Sequence, residues 1–386
     1  MSLEPKDQHI SEQVTCWKDQ AFQQAVKKVL ITSERIGANF PHASRKGAYV
    51  LEEPAWWTAG FWPGMLWILY EGSGEQQFRD IAEQCENHLD KVLDGYERLD
   101  HDIGFIWTLT SLANYKLHGG EESRRRAFKA ANYLMGRFNL KGNYIRAWNP
   151  WRPGEINSGL AIIDCAMNVP LLYWASRESG DPRYAHVANA HMNTVLSHFI
   201  RPDGSVRHIV RFDPDTGEVA EYLGGQGFAP DSAWSRGNAW ALYGLALAYH
   251  HTGNEAFLHA SKQTAHFFLS QLPDDLVPAW DFRAPENTRN IKDSSAGACA
   301  ASGLLLLSTL VPEWERAVYR QAGERILESL YKNYGSFDRP EEEGLIMHGT
   351  SHYPEKQNVD VSLIYGDYFY VEGLARLRGN HQIFWE

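Results

Sequence analysis

The stretch SSAGACAASGLLLLSTLVP, from Ser294 to Pro312, runs for 19 residues without a charge, between Asp293 and Glu313. This length approaches that of a membrane span, but four serines and two glycines interrupt the apolar run. A helix that is apolar on every side is typical of a protein interior. The stretch therefore predicts a helix buried in a globular core, and no membrane partner is expected.

The same unit recurs along the chain. Five times an apolar helical run ends in a turn and a second helical pattern follows, with turns at Gly74, Gly120, Gly180, Gly253 and Pro312. A glycine just past a helix is the expected C-terminal stop. The second pattern carries its charges on one face, as at Arg79, Asp80 and Glu83, and this predicts a surface helix.

The apolar first helices open with glycine or small polar residues. The six openings are Trp57-Thr-Ala-Gly-Phe-Trp62, His101-Asp-Ile-Gly-Phe-Ile-Trp107, Asn157-Ser-Gly-Leu-Ala-Ile-Ile163, Ser235-Arg-Gly-Asn-Ala-Trp240, Asp293-Ser-Ser-Ala-Gly297 and Tyr365-Gly-Asp-Tyr-Phe-Tyr370. Their glycines are separated by 44, 55, 78, 60 and 69 residues, which indicates helical hairpins joined by loops of variable length.

Six buried helices, each covered by an outer one, predict an all-α (α/α)6 barrel. We expect residues 1–386 to form this single domain, with residues 1–20 as a polar N-terminal extension. An open α-solenoid with polar caps is the alternative. The segments near 137–156 and 198–232 are rich in Gly, Asp, Pro and aromatic residues, and Val206–Phe212 is strand-like. They predict loops and short strands over one mouth of the barrel, where a site is expected.

Composition narrows the classes of partner. The chain has 386 residues, 44% of them hydrophobic, and a net charge of −11. Because no Lys/Arg run exceeds Arg124–Arg126, nucleic acid is excluded as a partner. Aromatic residues reach 13%, including 14 Trp, which favours either a large aromatic core or a groove that stacks on sugar rings.

The four cysteines, at positions 16, 85, 165 and 299, form no CxxC pair, which argues against a zinc site and a disulfide framework. The polar N-terminus contains no apolar signal segment. We therefore expect a cytoplasmic protein, or a periplasmic one if a signal peptide has been removed. A monomer or a homodimer is expected.

Asp164 is the one charged residue between Gly159 and Trp174. A carboxylate in so apolar a run is expected to be buried, and burial of an unpaired carboxylate costs several kcal/mol or more. The usual outcome is a raised pKa, which is what a general acid needs near neutral pH. The alternative is a structural Asp that caps a helix or binds a backbone amide.

The inner helices are expected to begin at one mouth, where their N-termini form a partly positive rim suited to an anion. The residues at these starts are Trp57, His101, Asp102, Arg236, Trp240, Asp293 and Asp367. Singly, each Asp is typical of an N-cap and Arg236 of a surface residue. Together they predict one cavity, in which Asp102 and Asp164 supply the paired carboxylates of sugar chemistry.

Other catalytic classes find no support. The sequence contains no P-loop, HExxH or GxGxxG motif and no Ser-His-Asp arrangement. His348 and His352 lack carboxylates at ligand spacing. No metal and no cofactor are therefore expected.

Six motifs, in order, resemble those of the unsaturated glucuronyl hydrolases, a glycoside hydrolase family with an (α/α)6 barrel. They are Trp57-Thr-Ala-Gly-Phe-Trp-Pro-Gly64, Leu99-Asp-His-Asp-Ile-Gly-Phe105, Ile162-Ile-Asp-Cys165, Trp234-Ser-Arg-Gly-Asn-Ala-Trp240, Lys292-Asp-Ser-Ser295 and Tyr365-Gly-Asp-Tyr-Phe-Tyr370. The resemblance extends from about residue 20 to the C-terminus.

The resemblance implies a substrate made by a polysaccharide lyase, with a C4=C5 double bond in its terminal uronate. It implies that a carboxylic acid protonates C4, that water adds at C5, and that the hemiketal collapses to an open-chain keto acid. Asp164 matches the acid and Asp102 the second essential carboxylate. His208, Gln226 and Arg236 match substrate-contacting positions, and the fork of Arg236 suits a carboxylate.

The predicted site also contains residues chosen by their type. His101 lies in the second opening, and Trp57, Trp148, Trp234 and Trp240 are predicted to stack on sugar rings.

One departure from the family concerns sulfated sugars, which some members recognise through a Ser-x-x-Ser-x-Lys pattern. Here Ser351 and Lys356 are retained, but Pro354 stands where the second Ser is expected. The expected substrates are glycosaminoglycan-derived disaccharides. The alternatives are an unsaturated rhamnogalacturonyl hydrolase, a sugar epimerase or isomerase on the same barrel, and a helical-repeat carbohydrate-binding protein.

Overall fold

The structure is a computed structural model that describes residues 16–96, 98–380 and 382–386. Its helices are α1 (Trp17–Ile36), α2 (Phe61–Ser73), α3 (Gln76–His88), α4 (Asp90–Gly95), α5 (Ile103–Trp107), α6 (Ala113–His118), α7 (Glu121–Gly136), α8 (Pro170–Ser179), α9 (Pro182–Thr194), α10 (Ser235–Thr252), α11 (Glu255–Ser270), α12 (Ser294–Leu310), α13 (Glu313–Ser329) and α14 (Ile364–Leu377). A π-helical turn over Thr108–Leu112 joins α5 to α6.

The strands are short and lie in small antiparallel sheets. They are β1 (Phe40–Arg45), β2 (Ala48–Glu52), β3 (Phe138–Asn139), β4 (Tyr144–Ile145), β5 (Leu160–Ile162), β6 (Ile209–Phe212), β7 (Val219–Leu223), β8 (Gly349–His352) and β9 (Gln357–Val361). Strands β5, β6 and β7 form one sheet, and each other pair is a hairpin. The strand predicted within Val206–Phe212 is thus confirmed as β6.

A closed ring of inner helices forms the core. It runs through α2, α5–α6, α8, α10, α12 and α14, and α14 packs against α2. Helices α3, α7, α9, α11 and α13 each cover the inner helix that precedes them, and α1 covers α14. The predicted (α/α)6 barrel is confirmed, and ring closure excludes the open solenoid. The pairing of the first helix with the last was not part of the prediction.

Small residues let the inner helices approach closely. In α12, residues from Ser294 to Ser308 are all buried, which confirms the predicted core helix. A Cβ on Gly303 would lie 2.6 Å from the side chain of Leu242 on α10, so only glycine permits this contact. Outer helices such as α13 bury one face only, through residues that include Tyr319 and Ile326.

Two predicted boundaries are wrong. The third opening is not a helix, because Leu160–Ile162 pairs with β6 and a 3-10 turn over Ile163–Met167 follows. The inner helix α8 begins only at Pro170, whose missing N–H suits a first helical position. Asp164 therefore lies on the 3-10 turn and not inside the third inner helix.

The polar extension is shorter than predicted. Helix α1 begins at Trp17 because Phe22, Ala25 and Val29 form an apolar face at helical spacing that is buried. The remainder of the predicted extension, residues 1–15, lies outside the described residues. Within the described ranges, no helix combines the length and the apolarity needed to cross a membrane.

A buried polar cluster closes the end of the barrel opposite the inner-helix N-termini. The carboxylate of Glu372 on α14 accepts hydrogen bonds from Tyr243 Oη at 2.5 Å, Tyr368 Oη at 2.8 Å and Trp385 Nε1 at 2.8 Å. The Trp385 ring packs beside Phe369, with centroids 6.4 Å apart. Trp385 thus seals the barrel with both apolar contact and a hydrogen bond.

We expect Trp385→Ala to lower the free energy of unfolding by about 3–5 kcal/mol, because it leaves a cavity and removes a donor from buried Glu372. Denaturant titration of the purified protein measures this change. Trp314→Ala is the matched control, since Trp314 is 81% exposed. Equal effects of the two substitutions would contradict a sealing role for Trp385.

Candidate active site

Asp164 lies at the mouth where the inner helices begin. The preceding strand places it there, and the amide of Ile163 donates to the carbonyl of His208 at 3.1 Å. The Asp164 side chain is 13% exposed, and its Oδ1 is 3.7 Å from His208 Nε2. Among the described residues, neither atom has a hydrogen-bond partner. Two buried polar atoms therefore face each other with nothing of the protein between them.

Burial raises the pKa of Asp164 to about 7, and the nearby Arg236 guanidinium limits the rise. The pKa of His208 falls to about 3, mainly through burial, so its ring is neutral. A carboxyl group with a pKa near 7 can give up a proton and take one back at neutral pH. Its surroundings thus meet the requirement for a group that acts first as acid and then as base.

Asn168 joins Asp164 to the second carboxyl group. Its Nδ2 donates to Asp102 Oδ1 at 3.2 Å and to the Asp164 carbonyl at 3.3 Å. Its Oδ1 accepts from the amide of Phe105 at 2.6 Å. A Cβ on Gly104 would lie 2.5 Å from the Asn168 carbonyl oxygen, so α5 is held against this residue. Asn168 was not among the predicted site residues, although it lies one helical turn after Asp164 in the same apolar run.

Asp102 does not cap α5 through its side chain. Burial raises its pKa well above the usual range, and the charges of Asp100 and Asp164 add to the rise. Its Oδ2 lies 3.5 Å from Nε2 of His101, whose pKa is held well below its ordinary value by burial. Asp102 is thus a carboxyl group that favours its protonated form and can donate a hydrogen bond.

Asp100 is a third carboxyl group in this cluster, and the sequence analysis did not select it. It accepts a hydrogen bond from the Asp102 amide at 2.9 Å. Burial raises its pKa to about 6, although Arg137 opposes the shift. Three neighbouring carboxyl groups with raised pKa values cannot all ionise easily, which is typical of acid–base sites.

Arg236 is buried and already paired. Its terminal nitrogens contact the Asp293 carboxylate and the carbonyls of Thr350, at 2.7 Å, and Ser351, at 2.6 Å. The expected two-point clamp on a substrate carboxylate does not fit, because only Nε lacks a partner among the described residues. Arg236 instead holds β8 at the mouth and lowers the pKa of Asp164 relative to burial alone.

The predicted stacking residues differ in exposure. Trp57 and Trp148 are partly exposed, and Trp57 packs beside Tyr365 with ring centroids 4.9 Å apart. Trp234 is almost fully buried against His208, at 4.4 Å between centroids. Trp240 is fully buried against Phe105 and Phe369, so a stacking role for it does not fit. Of the four predicted stacking residues, Trp57 and Trp148 are the two with accessible ring surface.

The three remaining predicted contacts lie on the loop after β7 and on the β8–β9 hairpin. Gln226 links His208 to β8, because its amide donates to His208 Nδ1 at 3.0 Å and its Nε2 to the Ser351 carbonyl at 2.8 Å. Ser351 is nearly buried on β8. Lys356 lies in the exposed turn after β8, with Nζ 3.3 Å above the Tyr353 ring.

The helix-start residues do not all share one cavity. Asp293 caps α12, accepting from the amides of Ser295 and Ala296 at 3.2 and 3.4 Å. The Asp367 carboxylate accepts from the amides of Leu345 and Ile346. Its inclusion in the cavity is corrected, because these amides and Tyr49 Oη, at 2.7 Å, already satisfy its carboxylate. Among the described residues, no group of three or more His, Cys, Asp or Glu is arranged to hold a metal.

Comparison with known proteins shows the family of the chain. The model of Glycosyl Hydrolase Family 88 matches residues 32–360. The chain belongs to glycosyl hydrolase family 88. The resemblance found in the motifs and the prediction of a glycoside hydrolase are thereby confirmed.

Similar members of family 88 match over nearly their whole length. The chain is 38% identical to the unsaturated glucuronyl hydrolase of Bacillus sp. (strain GL1), covering 94% of this chain and 98% of that protein. It is 35% identical to the unsaturated chondroitin disaccharide hydrolase of Streptococcus pyogenes serotype M1, covering 95% and 92%. The crystal structure of the Bacillus enzyme superposes with a TM-score of 0.92 at 36% identity, covering 95% of this chain and 98% of that one.

The raised pKa of Asp164 predicts a pH-dependent stability difference between the wild type and Asp164→Asn. Between about pH 4 and pH 7 the native carboxyl keeps a proton that the unfolded chain releases, so wild-type stability falls with pH and levels off above about 7. Asn does not titrate. The stability of the variant relative to wild type should therefore rise by roughly a few kcal/mol from pH 5 to pH 8 in denaturant titrations.

Asp213→Asn is the matched control. Backbone amides, of Thr216 first, lower the pKa of this exposed carboxyl, so its contribution is complete above the unfolded value and is constant from pH 5 to pH 8. A relative stability of Asp164→Asn that is also constant over this range would show that Asp164 is ionised at neutral pH.

Proposed function

We propose that this family 88 hydrolase releases the Δ4,5-unsaturated uronic acid from oligosaccharides made by polysaccharide lyases. The observation that carries the proposal is the environment of Asp164, where burial raises the carboxyl pKa to about 7 at the mouth of the barrel. Protonation of a vinyl ether at carbon needs a donor that still carries its proton at neutral pH, and hydration then needs a base for the water. One carboxyl group with a pKa near 7 can serve both steps.

In the proposed reaction, the Asp164 carboxyl transfers its proton to C4 of the C4=C5 double bond. Positive charge develops at C5 and the ring oxygen. Water attacks C5, and the Asp164 carboxylate takes a proton from this water, which restores the acid. The resulting hemiketal opens by cleavage of the bond from C5 to the ring oxygen, which gives a ketone at C5 and a hemiacetal at C1. The hemiacetal then collapses to an aldehyde, the glycosidic oxygen leaves with a proton as a hydroxyl of the second sugar, and the first unit is released as an open-chain keto acid.

The other site residues bind and orient the substrate in this proposal. Protonated Asp102 donates a hydrogen bond to a sugar hydroxyl, and neutral His208 provides Nε2, which has no partner among the described residues. Trp57 and Trp148 contribute their exposed ring faces. These substrate-binding residues are held in position by His101, Gln226, Trp234 and Arg236, through the contacts described above.

The proposed substrates are disaccharides from glycosaminoglycans. The support is that one similar protein is named for unsaturated chondroitin disaccharides and another for unsaturated glucuronyl groups. Ser351 and Lys356 flank Pro354 at the position of the sulfate-binding pattern, so partial recognition of a sulfated sugar is proposed for this loop. A cytoplasmic location, a single domain and a monomeric or homodimeric state stay predictions.

We expect purified protein to consume unsaturated chondroitin and heparin disaccharides, with loss of the double-bond absorbance and with an open-chain keto acid detected by mass analysis. Asp164→Asn should lower kcat by at least about 100-fold, because Asn cannot transfer a proton, and should keep substrate binding. Asp215→Asn, a substitution at a distant, exposed carboxylate, is the control.

Three results would contradict this proposal. Unchanged absorbance across a panel of unsaturated uronate disaccharides would exclude the reaction. Substantial turnover by Asp164→Asn would remove Asp164 from the acid role. Inactivation by His208→Ala alone, with Asp164→Asn still active, would favour the epimerase or isomerase.

The pH profile provides a separate prediction. Since the acid must be protonated in the free enzyme, kcat/KM should fall as pH rises through about 7, approaching a tenfold loss per pH unit above it. Initial rates on an unsaturated disaccharide from pH 5 to pH 9 measure this decline. A profile that is flat up to pH 9 would be inconsistent with an acid of this pKa.

A further inference from the structure

A groove of about 680 Å³ lies between the β1–β2 and β8–β9 hairpins. Each hairpin connects an outer helix to the inner helix that follows it, α1 to α2 and α13 to α14. Both hairpins therefore lie at the mouth where the inner helices begin, on the same side as Asp164. The volume is within the range of about 300–1,000 Å³ that small-molecule sites occupy.

The groove concentrates cations that have no carboxylate partner. Among the described residues, Arg45, Lys46, Arg339 and Lys356 line it and form no ion pair. Within the same described part of the chain, Glu52 and Glu342 also line it without an ion pair, and Asp360 contacts His348 at 2.6 Å. Four cations thus stand against three carboxylates, which leaves the groove positive in a chain with a net charge of −11 and suits it to an anion.

The backbone around the groove has an unusual conformation. Eight non-glycine residues of the described chain have positive φ, and five of them line this groove: Lys46, His348, Lys356, Asn358 and Asp360. The positive φ of Lys46 is explained by the two-residue turn Lys46–Gly47. The other four lie in or beside the β8–β9 hairpin, whose register shifts after Gly349. Such conformations cluster where a surface is shaped for a ligand.

The groove is continuous with the active-site wall. His42 lines the groove, and its ring lies 6.2 Å from that of Trp57. Asn358, on the opposite hairpin, contacts His42 Nε2 at 3.3 Å. Strand β8 also provides the carbonyls that bind Arg236. A saccharide that extends past Trp57 would therefore meet the groove next.

We propose that this groove is a subsite for an anionic sugar unit beyond the residue released with the first bond, so that the enzyme also binds unsaturated tetrasaccharides. The recognised group is the carboxylate or sulfate of the second repeating unit, held by Arg45, Lys46 and Arg339. This inference rests on the proposed function for the class of substrate. The groove adds a preference for longer saccharides, and the residues that determine this preference lie outside the cluster of carboxyl groups.

The test compares a disaccharide and a tetrasaccharide of unsaturated chondroitin, each with and without sulfate. For the double variant Arg45→Ala/Arg339→Ala, we expect KM for the tetrasaccharide to rise about fivefold or more, the loss typical of two exposed charge contacts. KM for the disaccharide should change less than about twofold. Arg320→Ala, on the exposed face of α13, is the control with the same chemical change.

Dissociation constants measured by calorimetry in the Asp164→Asn background make the groove testable without turnover. Weaker tetrasaccharide binding in the Arg45→Ala/Arg339→Ala variant, but not in the control, supports the subsite. If the loss of affinity occurs only with the sulfated tetrasaccharide, sulfate is the group bound. Equal effects on disaccharide and tetrasaccharide, or no effect on either, would overturn it. Failure of the wild type to consume any unsaturated disaccharide would instead overturn the proposed function, and the binding constants would still decide on the groove.

Discussion

The removal of water from the carboxyl groups at the barrel mouth is the constraint on which the site depends. Asp100, Asp102 and Asp164 lie where apolar inner helices exclude solvent, and burial is the largest cause of each raised pKa. Ionising all three together would place like charges in a medium of low polarity. The protein therefore keeps protons on this cluster near neutral pH, and these protons are the reagent of the proposed reaction.

Arg236 limits the effect of this desolvation on the pKa of Asp164. Its charge opposes the rise in the Asp164 pKa, and its terminal nitrogens fix Asp293 and the carbonyls of β8. One buried cation thus limits the rise in the pKa of Asp164, the proposed acid, and fixes the position of the β8–β9 hairpin. Pairing it with Asp293 makes its burial tolerable, because an isolated buried guanidinium would be costly.

The fold followed from patterns that local chemistry determines. The uncharged run of α12 and the glycine stops after α2, α8 and α10 specify buried helices and their ends whatever the tertiary context. The third unit was misjudged because a short apolar run such as Leu160–Ile162 suits a strand as well as a helix. The partner strand β6, far along the chain, decides the outcome.

The identities of the site residues were predicted better than their exposure and their contacts. The sequence located Asp164 and Asp102 but contained no measure of exposure, so Trp240 was expected in a groove and lies in the core. Arg236 was expected to bind a ligand, yet its partners are the N-cap residue of α12 and strand β8, which lie more than 50 residues further along the chain. Asn168 was missed because its role exists only once α5 packs against the 3-10 turn.

A bound substrate would help to keep the proposed acid protonated until it reacts. The unsaturated uronate carries its own carboxylate, and its binding places a second negative charge near Asp164. A like charge disfavours ionisation, so the Asp164 pKa in the complex should exceed the value of about 7 in the free protein. After C4 is protonated, the positive charge that develops at C5 reverses this field and favours the carboxylate. The substrate's own charges thus help the same group to act first as acid and then as base, which a carboxyl of ordinary pKa could not do at neutral pH.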